Sequence, residues 1–154
     1  MTHWLTAEQQ KHWRSYLAAT TLLSDRLSRE LQVEHGLSLA DYEILVRLSE
    51  ADGRRLRMSQ LAESTQYSRS RLSHAVGRME VAGWVRREEC PTDRRGTVAV
   101  LTDAGWRTLE RAAPGHVREV RAGVFDLLTR AQVRQLGAIS ERIAAHLETG
   151  TDPG

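Results

Sequence analysis

Two groups of side chains in this sequence carry more hydrogen-bond donors than a small core could satisfy. Ser68, Arg69, Ser70, Arg71, Ser73, His74 and Arg78 crowd one short stretch, and Asp93, Arg94 and Arg95 are consecutive. An arginine can donate in bidentate fashion to guanine O6 and N7, a histidine can bond a purine N7, and serine suits base edges or phosphate. A guanidinium at a hairpin tip can enter the narrow minor groove, whose negative potential attracts it. Asp93, two residues before Arg95 on the same side of an extended segment, can accept hydrogen bonds that aim the longer side chain. Each group also reads as solvated basic surface, where an exposed ion pair is worth at most ~1 kcal/mol. The elements that carry the residues decide between these readings.

Leu72, Ala75, Val76 and Met79 recur at helical spacing, so a helix capped by Ser68 buries those four and displays the polar group on its other sides. Residues at the start of such a helix reach deepest in helix-turn-helix docking, which favours Ser68 to Arg71. Ser59 opens a shorter helix before it that fades by Tyr67, and Gly83 stops the longer one. Trp84 to Glu88 and Thr97 to Leu101 then alternate as two strands, Val98 and Val100 sharing a face, with CPTDRRG as the hairpin tip between them. Arg54 to Arg57 reads as a basic loop.

Upstream, Thr6 and Gln9 form a capping box ahead of Trp13, Tyr16, Leu17, Thr20, Leu23, Leu27 and Leu31, the stripe of a long amphipathic helix that ends near Gly36. Ser38, with Asp41 in the first turn, opens a second helix carrying Tyr42, Leu45, Val46 and Leu48. Downstream, Thr102 begins a helix with Trp106, Leu109, Ala113, Val117, Val120, Val124 and Phe125 inside, which Pro114 should kink or interrupt. Thr129 and Gln132 cap the last helix, striped by Val133, Leu136, Ser140, Ile143 and Leu147. The expected fold is mainly α with a small β-hairpin wing: a winged helix-turn-helix over 38–101, long helices over 6–35 and 103–148, and a disordered tail at 149–154. The stripes of the first and last helices are too long for one small helix-turn-helix to cover.

The formal net charge of +2 hides an asymmetry. Residues 54–96 hold ten arginines against five acids, whereas residues 1–53 are net acidic and residues 97–154 neutral. A basic block in a neutral or acidic scaffold is the footprint of a polyanion-binding segment. The 40% hydrophobic and 27% charged content suits a single folded domain. No apolar run reaches the ~18 residues of a membrane span, and the start lacks the features of a signal peptide, so a cytoplasmic location is expected. With only Cys90 there is no internal disulfide. His3, His12, His35, His74, His116 and His146 never pair at ligand spacing, so no metal or other cofactor is expected. Gly-x-Ser-x-Gly, phosphate-cradling glycine loops and His-Glu-x-x-His are all missing, which disfavours an enzyme.

In SQLAE at 59–63, SRSRLSHAVGRMEVAGWVRRE at 68–88, the wing CPTDRRGTVAVLTDAG with its Asp-x-Arg, and the long terminal helices, the sequence resembles the multiple antibiotic resistance regulator (MarR) family of bacterial repressors. The resemblance spans roughly residues 6–148 and implies one domain over 1–154. It implies a homodimer whose first, fifth and sixth helices interlock, each winged module reading half of a palindromic operator. The recognition helix falls on Ser68–Met79 in the major groove and the wing on 89–97 in the minor groove. Arg95 becomes the wing arginine and Asp93 its orienting acid, with Arg94 left between a phosphate contact and the groove.

The family also implies a ligand-responsive repressor, often governed by a small aromatic or phenolic effector held between dimer helices and DNA-binding module. By position Trp13, Tyr16, His35 and Tyr42 are the candidates, though each also reads as core packing or a helix end. Relatives that sense oxidants do so through a cysteine in the first helix. Cys90 lies in the wing instead, where shaping the turn before Pro91 accounts for it. Two other readings stay open: a winged module that docks on an acidic protein, and a redox- or metal-responsive regulator of the same fold.

Overall fold

The computed structural model describes residues 1–149, apart from the side chain of Arg94, and divides the chain into two compact units, Met1–His116 and Val117–Gly154. Its helices begin where the polar caps lie. Thr6 Oγ1 accepts the Gln9 N–H at 3.1 Å and Gln9 Oε1 accepts the Thr6 N–H at 2.9 Å, opening helix α1 at Ala7–His35. Gly36, at φ 65°, ends it in the left-handed conformation that suits glycine. Ser38 and Asp41 form a second box that opens α2, Leu39–Glu50.

Chain leaves α2 through Gly53 and Arg54, both at positive φ, and forms strand β1 at Arg55–Arg57 where a basic loop was expected. Its alternation is one residue deep, with Leu56 alone turned inward, too short for a periodic signal. β1 leads into α3, Met58–Thr65, and a turn through Gln66 at φ 60° leads to α4, Arg69–Val81. Ser68 caps α4 by accepting the Arg71 N–H at 3.2 Å, and the helix buries the expected four residues, Leu72, Ala75, Val76 and Met79.

Strands β2, Val85–Cys90, and β3, Asp93–Leu101, are longer than their alternation predicted and leave only Pro91 and Thr92 as the turn. Arg94 and Arg95 therefore belong to a strand, not to an irregular tip. The ladder closes at Cys90 opposite Asp93 after a register shift at Glu89/Cys90. The antiparallel sheet runs β1-β3-β2, with Leu56 and Arg87 both opposite Ala99. Leu31, Leu37, Ile44, Leu45, Leu48, Leu61, Leu72, Val76 and Met79 form its principal core with Val85, Ala99, Leu101 and Leu109.

Helix α5, Asp103–Gly123, continues through Pro114, so the expected interruption does not occur. Long helical segments on both sides hold the backbone, and the proline removes one N–H from the ladder. It stops before Val124 and Phe125, which were expected on its inner side; Phe125–Leu127 forms a 3-10 turn instead. Helix α6, Arg130–Thr149, opens with a reciprocal Thr129–Gln132 cap and buries none of its residues within the chain. It takes in Thr149, the first residue of the expected tail; residues 150–154 lie outside those described. No described helix is long and apolar enough to cross a membrane.

One close approach ties α5 to the sheet. The Thr102 N–H donates to the Trp84 carbonyl at 3.0 Å and Thr102 Oγ1 to the Gly83 carbonyl at 2.6 Å, drawing the first turn of α5 onto the start of β2. A Cβ at Gly105 would collide with the Trp84 carbonyl and the Leu101 side chain, and a backbone neighbour cannot yield as a side-chain end can. Gly105→Ala is accordingly expected to lower stability by about 1–3 kcal/mol, the usual cost of overpacking. Thermal and denaturant unfolding monitored by circular dichroism would register it; unchanged stability would contradict the close packing.

Candidate nucleic-acid interface

Burial of one stripe of α4 leaves Ser68, Arg69, Ser70, Arg71, Ser73, His74 and Arg78 exposed on its other sides. Several are held from below. The Arg71 guanidinium carbon lies 4.0 Å from the centroid of the Tyr67 ring, and the Tyr67 hydroxyl donates to Glu43 of α2 at 2.8 Å. Burial, then the bond to Glu43, pushes the Tyr67 phenol up to about 12, so it stays a donor. Arg78 reaches the buried Asp41 carboxylate at 3.3 Å, and the other oxygen of that carboxylate caps α2. Arg78 is thereby drawn toward the scaffold, away from the leading end of the helix.

From the opposite side, Arg87 of β2 extends across to α4. Its Nη2 donates to the Ser73 carbonyl at 2.7 Å, and its Nε pairs with Glu80 at 3.0 Å. A Cβ at Gly77 would stand 3.8 Å from the same Nη2, an ordinary contact distance, which shows how closely the guanidinium lies along α4. Arg86, the next residue back, faces the other side of the strand, where it and Arg55 share Glu88 at 2.8 and 2.7 Å. The hydrogen bond from Arg86 is the main reason the Glu88 carboxyl is held below its ordinary range.

At the wing, Asp93 does brace Arg95, but through the backbone: the Arg95 N–H donates to Asp93 Oδ1 at 3.0 Å. The carboxylate thus sets the direction of the strand, while the Arg95 side chain extends exposed. The side chain of Arg94 lies outside those described. Cys90 is buried, with Sγ 3.4 Å from the Thr92 hydroxyl, which itself accepts from Arg57 at 2.9 Å. Hydrogen bonding to Thr92, with a smaller contribution from Arg57, lowers the thiol from its ordinary value.

These placements make a concave cleft walled by the starts of α3 and α4 and by the wing, into which Arg57, Arg69, Arg87 and Arg95 all face. Sequence reasoning did not single out Arg57 or Arg87. The alternation of β2 holds a signal for Arg87, since it sets Arg86 and Arg87 on opposite faces; the three residues of β1 hold none for Arg57.

The four effector candidates do not assemble within the chain. Trp13 and Tyr16 stack at 5.9 Å, exposed, in the first half of α1. His35 lies in its last turn, and at 1.5 Å rise per residue it is about 28 Å along the axis from Tyr16. Tyr42 is a core residue, 6% exposed, packed against His116. Among the described residues no three His, Cys, Asp or Glu side chains gather as a metal site.

A family model described as the MarR family matches residues 35–96, from the end of α1 through the wing turn. The fold superposes on Sco3205, a MarR family transcriptional regulator from Streptomyces coelicolor crystallised in complex with DNA, with TM-score 0.93 and 53% sequence identity, over 96% of this chain and 92% of that one. AbsC, a MarR family transcriptional regulator from the same organism, gives TM-score 0.92 and 48% identity over 96% and 99% of the two chains. The HTH-type transcriptional regulator PecS of Dickeya dadantii (strain 3937) is 28% identical over 132 residues, 85% of this chain and 79% of PecS. With helix, turn, recognition-type helix and three-stranded wing in the same order and at this identity, the chain belongs to the MarR family of winged helix-turn-helix transcriptional regulators.

Proposed function

We propose that this regulator acts as a homodimeric, ligand-responsive repressor, each winged module reading half of a palindromic operator with α4 in the major groove and the wing in the minor groove. The arginine-lined cleft beside the exposed face of α4 carries this reading, because it puts positive charge where a phosphate backbone runs between two grooves. A relative of 53% identity crystallised with DNA supports it. Ser68, Arg69, Ser70 and Arg71 lead into the groove, followed by Ser73 and His74. Arg95 enters the minor groove on a strand that Asp93 orients, while Arg94 takes a phosphate or shares the groove. Arg57 and Arg87 serve the phosphates between. Arg78 acts chiefly by holding α4 to α2 through Asp41.

Arg95→Ala is expected to weaken binding to a palindrome from the protein's own upstream region at least tenfold, about 1.4 kcal/mol, with an unchanged circular dichroism spectrum. Mobility shifts at several salt concentrations would read this. Wild-type affinity should fall steeply with salt, and Arg69→Ala should flatten the log-log slope by about one unit if that side chain holds a phosphate. A wing that docks on an acidic protein would show no operator affinity to lose, and that result would reject the reading.

Homodimerisation accounts for the uncovered apolar positions of α6, where Leu136, Ile139, Ile143 and Leu147 are all exposed at 40% or more. Removing such a stripe from water drives association, at about 25 cal/mol per Å². Ile143→Glu should convert the protein to a monomer by multi-angle light scattering and abolish cooperative operator binding; a dimer of wild-type stability would place the interface elsewhere.

A further inference from the structure

Arg69 and Arg71 are the same side chain two residues apart in the first turn of α4, and the fold treats them differently. Two residues of helix turn the direction by about 200°, so the pair leaves α4 on nearly opposite flanks. Arg69 faces the cleft beside the wing, with Arg57, Arg87 and Arg95. Arg71 takes the other flank, its guanidinium carbon 4.0 Å from the centroid of the Tyr67 ring.

Tyr67 is fastened at both ends. Its N–H donates to the Ala62 carbonyl of α3 at 3.1 Å, just after the left-handed turn at Gln66, and its hydroxyl donates to Glu43 of α2 at 2.8 Å. Between these anchors the side chain packs against the core. The phenol, pushed up to about 12, keeps its proton at neutral pH, so the bond to Glu43 persists there. A ring whose hydroxyl donates to a carboxylate is the more electron-rich, and its face the better partner for a cation.

Stacking engages the flat face of a guanidinium and leaves the N–H groups at its edge directed outward in one plane. Among the described residues no carboxylate is paired with Arg71 to compete for them. A fixed plane of free donors is what a bidentate bond to guanine O6 and N7 requires, whereas a phosphate contact requires chiefly the charge. A loose arginine would have to give up the rotamer freedom of its long side chain to read the same base.

We propose that Tyr67, anchored by Glu43, is a specificity-determining residue: it holds the Arg71 guanidinium in the orientation that reads one guanine in each operator half site, while Arg69 serves the phosphate backbone. The assignment rests on the proposed DNA-binding function. It makes Glu43 of α2 part of the base-reading apparatus at one remove.

Selection from a pool of duplexes that carry a palindrome with randomised half sites, followed by sequencing, reads base preference position by position. The wild-type protein should enrich guanine at one position of each half site. Arg71→Lys keeps the charge and loses the planar fork, and Tyr67→Leu removes the ring. Each should lower that enrichment at least tenfold and leave the other positions and the salt dependence of affinity unchanged. Tyr67→Phe, which keeps the ring and releases it from Glu43, should lower it about threefold, and it remains readable if the leucine variant does not fold. Undiminished guanine enrichment in Arg71→Lys or in a folded Tyr67→Phe would overturn the assignment. So would an equal loss at every position in Tyr67→Leu, which a merely structural role would give. A wild-type protein that enriches no sequence would reject the DNA-binding reading itself, so the two failures are told apart.

Discussion

Everything on the proposed DNA-facing surface depends on which way α4 is rotated, and burial of Leu72, Val76 and Met79 fixes that rotation. These side chains are at most 1% exposed, and turning the helix by one residue would replace them with Ser73, Gly77 and Glu80 in one direction or Arg71, Ala75 and Arg78 in the other. Burying each large apolar side chain contributes about 1.5–3 kcal/mol, so the wrong face is excluded by several kilocalories before any polar contact is counted. Arg69, Ser70, Ser73 and His74 are exposed because the stripe beside them is not. Two tethers then hold the helix along its length: Arg78 to Asp41 toward α2, and Arg87 to Ser73 and Glu80 toward β2. Recognition by bidentate hydrogen bonds tolerates little misplacement, and a helix held from both sides meets that demand better than one held by its core face alone.

The ten arginines of the central block look equivalent in composition and are not equivalent in space. Arg54 stacks over Trp106 at 3.9 Å, Arg55 and Arg86 share Glu88, and Arg78 and Arg87 hold α4. With Arg71 against the Tyr67 ring and Arg57 bonded to Thr92, at least seven of the ten have partners within the fold, and those paired to carboxylates absorb much of the acid in and around the block. Arg57, Arg69 and Arg95 line the cleft without an acidic partner among the described residues. The effective positive field is more local than a count of charges suggests, and it coincides with the gap between helix and wing.

What was legible in the sequence was whatever repeats or caps locally. The four buried positions of α4, the reciprocal caps at Thr6, Ser38 and Thr129, and the glycine stop at Gly36 all rest on neighbours within a few residues. Strand β1 was not legible, because three residues with one inward side chain carry no period and its pairing to β3 spans some forty residues. The roles of Arg87 and Arg57 depend likewise on partners distant in sequence. Asp93 was half legible: its spacing from Arg95 identified the pair, but spacing cannot tell a bond to the guanidinium from one to the backbone N–H. The effector candidates Trp13, Tyr16, His35 and Tyr42, named by position along the sequence, do not come together within one chain, because His35 lies far along α1 from Tyr16 and Tyr42 belongs to the core.

That backbone bond alters how the wing works. A carboxylate paired to the guanidinium would have to release it before the arginine could enter a groove, giving up a charge-assisted hydrogen bond at the moment of binding. A carboxylate bonded to the Arg95 N–H asks for no such exchange. It sets the strand direction through the turn at Pro91 and Thr92, and the Cys90–Thr92–Arg57 contacts fasten the base of that turn to the cleft. The side chain has no acidic partner among the described residues and stands on a backbone already ordered, so in the proposed groove insertion it would add an interaction without first breaking one. Less ordering entropy is then lost on binding, because the turn has been organised in advance by contacts within the protein.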